Sequence, residues 1–74
     1  AGPRTMTAPI PGVVAAVMVE AGDTIEHGDE LLTLDAMKMM NVIRSPWEST
    51  IATVHVEKGD RVAQGEPLVT FVPT

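Results

Sequence analysis

Short runs of β-branched and aliphatic residues, separated by glycine-acid dipeptides, set the pattern of this chain. Residues 13–19 and 51–56 are rich in valine and too short for a convincing helix, so they read as strands. In the second run Ala52, Val54 and Val56 alternate with Thr53, His55 and Glu57, a period of two that turns one face inward. Glu30–Ala36 and Pro67–Val72 also read as strands; Pro67 begins its run, where a missing N–H is tolerated. Very short strands are expected over 24–26 and 61–63, and two more over 6–8 and 39–44.

The pattern occurs twice. Shifted by 37 residues, the chain matches itself at Ala15 and Ala52, Val17 and Val54, Val19 and Val56, Gly22 and Gly59, Asp23 and Asp60, Gly28 and Gly65, and Leu31 and Leu68. The identical pairs 15/52, 17/54 and 19/56 are expected on the inward face, so the repeat preserves a packing surface. The glycines punctuate each half with turns that need φ > 0. Four strands per half predict an all-β fold: a flattened barrel or sandwich of two four-stranded antiparallel sheets with a pseudo-twofold repeat, one half stacked on the other.

A hairpin joins the halves. Leu31, Leu32 and Leu34 lead in, Val42 and Ile43 lead out, and the tightest reversal places Met37 and Lys38 at its two central positions, between Ala36 and Met39. Neither central residue is Gly, Asn or Asp, so something other than turn preference chose them. A lysine at a hairpin tip is most often only a solvated charge, and methionines are flexible packing groups. Against that reading stand two features together: a duplication centred on this lysine, and Met37, Met39 and Met40 clustered at an exposed tip.

Composition narrows the options. Seventy-four residues make one small domain, expected over 6–73, with 1–5 a linker remnant, since the chain opens Ala1-Gly2-Pro3-Arg4 without an initiator methionine. Cysteine is absent, which excludes disulfides and thiolate metal sites. A net charge of −5 argues against nucleic acid and anionic membranes, and no apolar run approaches a membrane span. His27 and His55 have no paired spacing, so no metal site is expected. No Ser-His-Asp grouping or phosphate-binding loop can be assembled, and no catalytic residue is expected. Glu20, Asp23, Glu26, Asp29 and Glu30 read as a solvated acidic face.

Ala36-Met37-Lys38-Met39, preceded by Pro9-Ile10-Pro11-Gly12, Gly22-Asp23 and Gly28 and followed by Gly59-Asp60 and Gly65, resembles the biotinyl domains, the biotin carboxyl carriers of biotin-dependent carboxylases and decarboxylases. The likeness covers about residues 6–72 and implies a flattened eight-stranded barrel, with both termini opposite the hairpin. It implies biotin linked covalently to Lys38, with Ala36, Met37 and Met39 as the recognition motif around it. The domain itself would be non-catalytic. A biotin protein ligase would attach the cofactor, because a solvated lysine is protonated and a poor nucleophile at neutral pH. The loaded arm, reaching about 14 Å, would then shuttle an activated carboxyl group between biotin carboxylase and carboxyltransferase or decarboxylase sites of a larger chain or complex. A cytoplasmic or mitochondrial-matrix setting follows from that role. The alternative is a lipoyl carrier of a 2-oxoacid dehydrogenase complex, which shares the fold but usually shows Asp-Lys-Ala at the tip.

Three departures stand out. Asp35 replaces a frequent Glu. Ser49 stands where Gly is usual, which would strain a turn requiring φ > 0, and Trp47 is expected to pack over that turn. Val19 runs directly to Gly22-Asp23, so the chain is similar to the thumbless members.

Overall fold

A computed structural model describes residues 4–72. They form eight strands: β1 (Arg4–Thr7), β2 (Gly12–Val17), β3 (Thr24–Ile25), β4 (Glu30–Ala36), β5 (Met39–Arg44), β6 (Ser49–Val54), β7 (Arg61–Val62) and β8 (Pro67–Val72). The expected eight strands are all present, with boundaries moved by a few residues. Arg4 and Thr5, expected in the linker, are already paired with Phe71 and Thr70. The rest of that linker, Ala1 to Pro3, and the expected last domain residue, Pro73, lie outside the described residues.

The strands build two antiparallel sheets, ordered β5-β4-β2-β7 and β1-β8-β6-β3. The first carries the Lys38 hairpin and is called here the hairpin sheet; the second pairs Arg4 with Phe71 and is the terminal sheet. The expectation of one half stacked on the other needs correction. Each half gives two strands to each sheet, because β1 and β3 pair with β8 and β6 while β5 and β7 pair with β4 and β2. The halves therefore clasp one another. Neither can bury its apolar face alone, which suits a small domain with no disulfide.

The inward face also differs from simple alternation. Val14 pairs with Leu34 and Ala16 with Thr33, leaving Ala15 as an unpaired extra residue; Ile51 pairs with Phe71 and Thr53 with Thr70, leaving Ala52 likewise. A β-bulge resets which residues face inward. Val14 and Ile51 are thus fully buried, while Val17, Val19, Val54 and Val56 pack partly against the core. Ala15 and Ala52 are repeated because they occupy the bulge. Leu31, Leu32, Leu34, Leu68, Val69 and Phe71 complete the centre of the core.

Four glycines close four like turns. Gly22, Gly28, Gly59 and Gly65 have φ of 97°, 90°, 97° and 88° at the third turn position, as a type II turn requires. In three of them the aspartate at the fourth position clamps the turn: Glu20, Glu26 and Glu57 donate their backbone N–H to Asp23, Asp29 and Asp60 Oδ2 at 2.9, 2.8 and 3.0 Å. The acidic face is therefore partly scaffolding. Glu30 is engaged too, by Arg44 at 3.4 Å.

Ser49 is not strained. It lies outside the positive-φ region, is buried, and donates its hydroxyl to the Val72 carbonyl. Gly12, its counterpart, is required for close approach: an added Cβ would lie 2.8 Å from the Asp35 carbonyl oxygen and 3.0 Å from Ala36 Cβ. Trp47 packs edge-on against Phe71 at 5.4 Å, with the Arg4 guanidinium 4.9 Å from its ring centre. Its Nε1 is buried without a partner, a cost of about 1–3 kcal/mol. Trp47→Phe removes that orphan donor while keeping a ring, so thermal unfolding followed by circular dichroism is expected to show a stability change within about 1 kcal/mol.

Candidate functional site

The site is the β4–β5 hairpin. Ala36 pairs with Met39, which leaves Met37 and Lys38 as a two-residue loop. Their φ angles are 54° and 64°, and they are the non-glycine residues with positive φ among those described. Two consecutive left-handed residues match a type I′ turn, whose twist suits the flanking strands. That conformation normally selects Asn or Gly; for other L-residues it costs roughly 1–2 kcal/mol each. The turn therefore stores strain at the position the sequence singled out. Met37→Gly relieves one such residue, and urea denaturation is expected to show a gain of about 1 kcal/mol.

The scaffold beneath the turn is rigid. Ala36 is buried, and Leu34 and Leu32 below it are fully buried. Gly12 lets β2 close tightly against the Asp35–Ala36 backbone. Above that base the tip stands in solvent: Met37, Met39 and Met40 are 85%, 65% and 63% exposed. Lys38 is exposed and makes no hydrogen bond or ion pair with any described residue. The structure thus brings Ala36, Met37, Lys38 and Met39 together at one tip, with Ala36 as buried anchor and the other three exposed.

The molecule measures 35 × 18 × 17 Å, and the hairpin marks one end. The start of β4 belongs to the other end. There Ser45 donates its N–H to the Asp29 carbonyl, its hydroxyl donates to Trp47 O, and Trp47 sits against Phe71 and Arg4. The first and last described strand ends thus gather far from Lys38, which leaves the tip clear of the chain's attachments.

Sequence reasoning missed one feature of the site. The repeat keeps Thr33 and Thr70 but changes three exposed positions. On the hairpin sheet Val13, Met18 and Val42 are exposed; the positions 37 residues away hold Thr50, His55 and Thr5. The terminal sheet instead links its outer groups by polar contacts, with Thr70 Oγ1 3.2 Å from Thr5 Oγ1 and 2.7 Å from His55 Nε2. The apolar dressing is thus confined to the face that leads to Lys38. The signal was available in the 37-residue offset, as mismatches rather than matches.

The family model described as "Biotin-requiring enzyme" matches residues 4–71. The gamma subunit of glutaconyl-CoA decarboxylase from Acidaminococcus fermentans is 54% identical over 43 residues, covering 58% of this chain and 30% of that subunit. The biotin carboxyl carrier protein of Streptococcus mutans is 48% identical over 40 residues, 54% of this chain and 31% of that one. Among solved structures, a single-chain, multi-domain long-chain acyl-CoA carboxylase superposes with a TM-score of 0.91 at 34% identity, over 99% of this chain and 7% of that one. The chain spans about a third of the length of the glutaconyl-CoA decarboxylase subunit, of the Streptococcus mutans protein and of the gamma subunit of methylmalonyl-CoA decarboxylase from Veillonella parvula.

Proposed function

The chain belongs to the biotin-requiring enzyme family, and from that premise we propose that Lys38 is its point of covalent biotin attachment. It is a biotin carrier domain of the kind found in biotin-dependent carboxylases and decarboxylases, and such domains are non-catalytic. The observation that carries the Lys38 assignment is the strained Met37-Lys38 turn, which holds an unpartnered primary amine at the far end of a rigid β-ladder. An attachment site needs an amine that a ligase can surround, and nothing in the described structure competes for this one.

Biotin, once bound, supplies a ureido nitrogen that accepts and releases a carboxyl group. The chain's own residues present that arm. Ala36 and Leu34 anchor the hairpin, and the left-handed turn fixes the Lys38 backbone. An arm of about 14 Å then leaves the end of the molecule remote from β1. The lipoyl alternative is not favoured: the relatives described above are a biotin carboxyl carrier protein and a glutaconyl-CoA decarboxylase subunit.

The partners follow from the role. A biotin protein ligase would load Lys38, and biotin carboxylase and carboxyltransferase or decarboxylase components would visit it. Cytoplasm or mitochondrial matrix would provide both. Met37 and Met39 are proposed as the side chains the ligase reads, since both are exposed and neither serves the core. Met37→Gly keeps or improves the turn but removes a side chain. The kcat/KM for biotinylation by a biotin protein ligase is therefore expected to fall roughly tenfold or more, the range for one lost apolar contact. An unchanged value would mean that the ligase does not read Met37.

A further inference from the structure

An open groove of about 580 Å³ lies beside the hairpin, along the edge where β7 joins β2. Its walls are apolar: Pro11, Val13, Val62 and Ala63. Gly12 also lines it and lies against Ala36, two residues before Lys38. Two charged side chains, Arg61 and Glu66, complete the lining. Neither forms an ion pair with another described residue, so both are available to a ligand.

These groups suit a small ligand of particular form: an apolar body bearing a neutral polar head that both donates and accepts hydrogen bonds. A cyclic urea fused to a thioether ring has that form. Its carbonyl would accept from the Arg61 guanidinium, and an N–H would donate to the Glu66 carboxylate. The hydrocarbon and sulfur parts would cover the exposed Pro11, Val13 and Ala63.

Reach is satisfied. Lys38 and Ala36 are separated by at most about 7 Å of chain, and the arm extends about 14 Å. The groove volume falls in the range of small-molecule sites, about 300–1,000 Å³. Of the two charges only the cation departs from the repeat: the position 37 residues before Arg61 holds Thr24, whereas Glu66 corresponds to Asp29. The guanidinium in the groove thus has no counterpart in the other half of the repeat.

We propose that this groove is a resting site for the biotin head carried on Lys38, with Arg61 and Glu66 as its polar contacts. The inference rests on biotin attachment at Lys38. A tethered ligand needs only weak intrinsic affinity, because its effective concentration is in the millimolar range. The open groove would hold the head between visits to partner sites and release it readily.

The test compares the unmodified and biotinylated 74-residue chain by amide nuclear magnetic resonance, with intact mass confirming the modification. Biotinylation is expected to shift the amides of Gly12, Val62, Ala63 and Glu66 while leaving those of Thr24, Ile25 and Glu26 in place. Arg61→Thr installs the residue that the other half carries, so the strand should tolerate it; it is expected to abolish the groove shifts without preventing biotinylation. Glu66→Gln is expected to weaken them. Shifts confined to residues 36–40 in a fully biotinylated sample would overturn the resting site alone. Groove shifts that persist unchanged in Arg61→Thr would overturn its polar contacts. No mass increase would overturn both this inference and the assignment of Lys38.

Discussion

Lys38→Arg is expected to abolish biotinylation completely. After incubation with biotin, ATP and a biotin protein ligase, the intact mass should remain that of the unmodified chain, and streptavidin should capture none of it. Arginine keeps the positive charge and the long stem, and it incurs the same left-handed backbone cost as lysine, because both are L-residues with a Cβ. Lys38 has no contact to lose. Stability should therefore stay within about 0.5 kcal/mol of the parent, as for other exposed substitutions. The loss would lie in chemistry: a guanidinium is never deprotonated under working conditions and cannot form the amide. Lys58, on another turn of the chain, is the internal control. Lys58→Arg should be labelled at the parental rate. Labelling that survives Lys38→Arg and disappears in Lys58→Arg would move the site to the other repeat.

The resemblance of Ala36-Met37-Lys38-Met39 to biotinyl domains selected biotin; the special position of Lys38 was legible in the sequence because two signals met at one residue. The 37-residue offset placed Lys38 between the halves, and the apolar runs on either side left only Met37 and Lys38 for the reversal. The strands and the four glycine turns were legible for the same reason, since each appears twice. What stayed hidden were the places where backbone geometry departs from periodicity. Nothing in Val14-Ala15-Ala16 announces a bulge, because a short side chain fits either face. The inward set was consequently read one residue out at Ala15 and Ala52. The exchange of β3 and β7 was hidden because two-residue strands carry no partner information. The Ser49 site misled for a subtler reason. Its counterpart Gly12 is required for backbone proximity to Asp35 and Ala36, whereas positive φ is required at Gly22, Gly28, Gly59 and Gly65; sequence alone does not distinguish the two uses of glycine.

Those two uses predict different costs for the same added methyl group. Gly12→Ala places a Cβ 2.8 Å from the Asp35 carbonyl oxygen and 3.0 Å from Ala36 Cβ. The Asp35 oxygen is backbone of β4, directly below the hairpin, so it cannot turn aside as a side-chain end would. Either β2 moves outward or the β4 ladder bends. Overpacking of this kind costs about 1–3 kcal/mol, and the upper half of that range is expected because the close atom is backbone. Gly22→Ala meets nothing within 4 Å, and its cost is conformational alone, about 1 kcal/mol for a residue held at φ 97°. Urea unfolding should therefore rank parent, Gly22→Ala and Gly12→Ala in falling order of stability. Function separates them further. Gly22 lies in the turn before β3, among residues that pair with the terminal sheet, so its variant should be biotinylated normally while folded. The Gly12 variant displaces the strand that carries Lys38, and its rate of biotinylation should fall even at temperatures where it remains folded. Faster amide hydrogen exchange at Val13 and Asp35 would locate the opening at the β2–β4 pair. A Gly12→Ala chain as stable as the parent and labelled at the same rate would mean that β2 adjusts freely, and that the close approach beneath Ala36 does not hold the Lys38 turn in place.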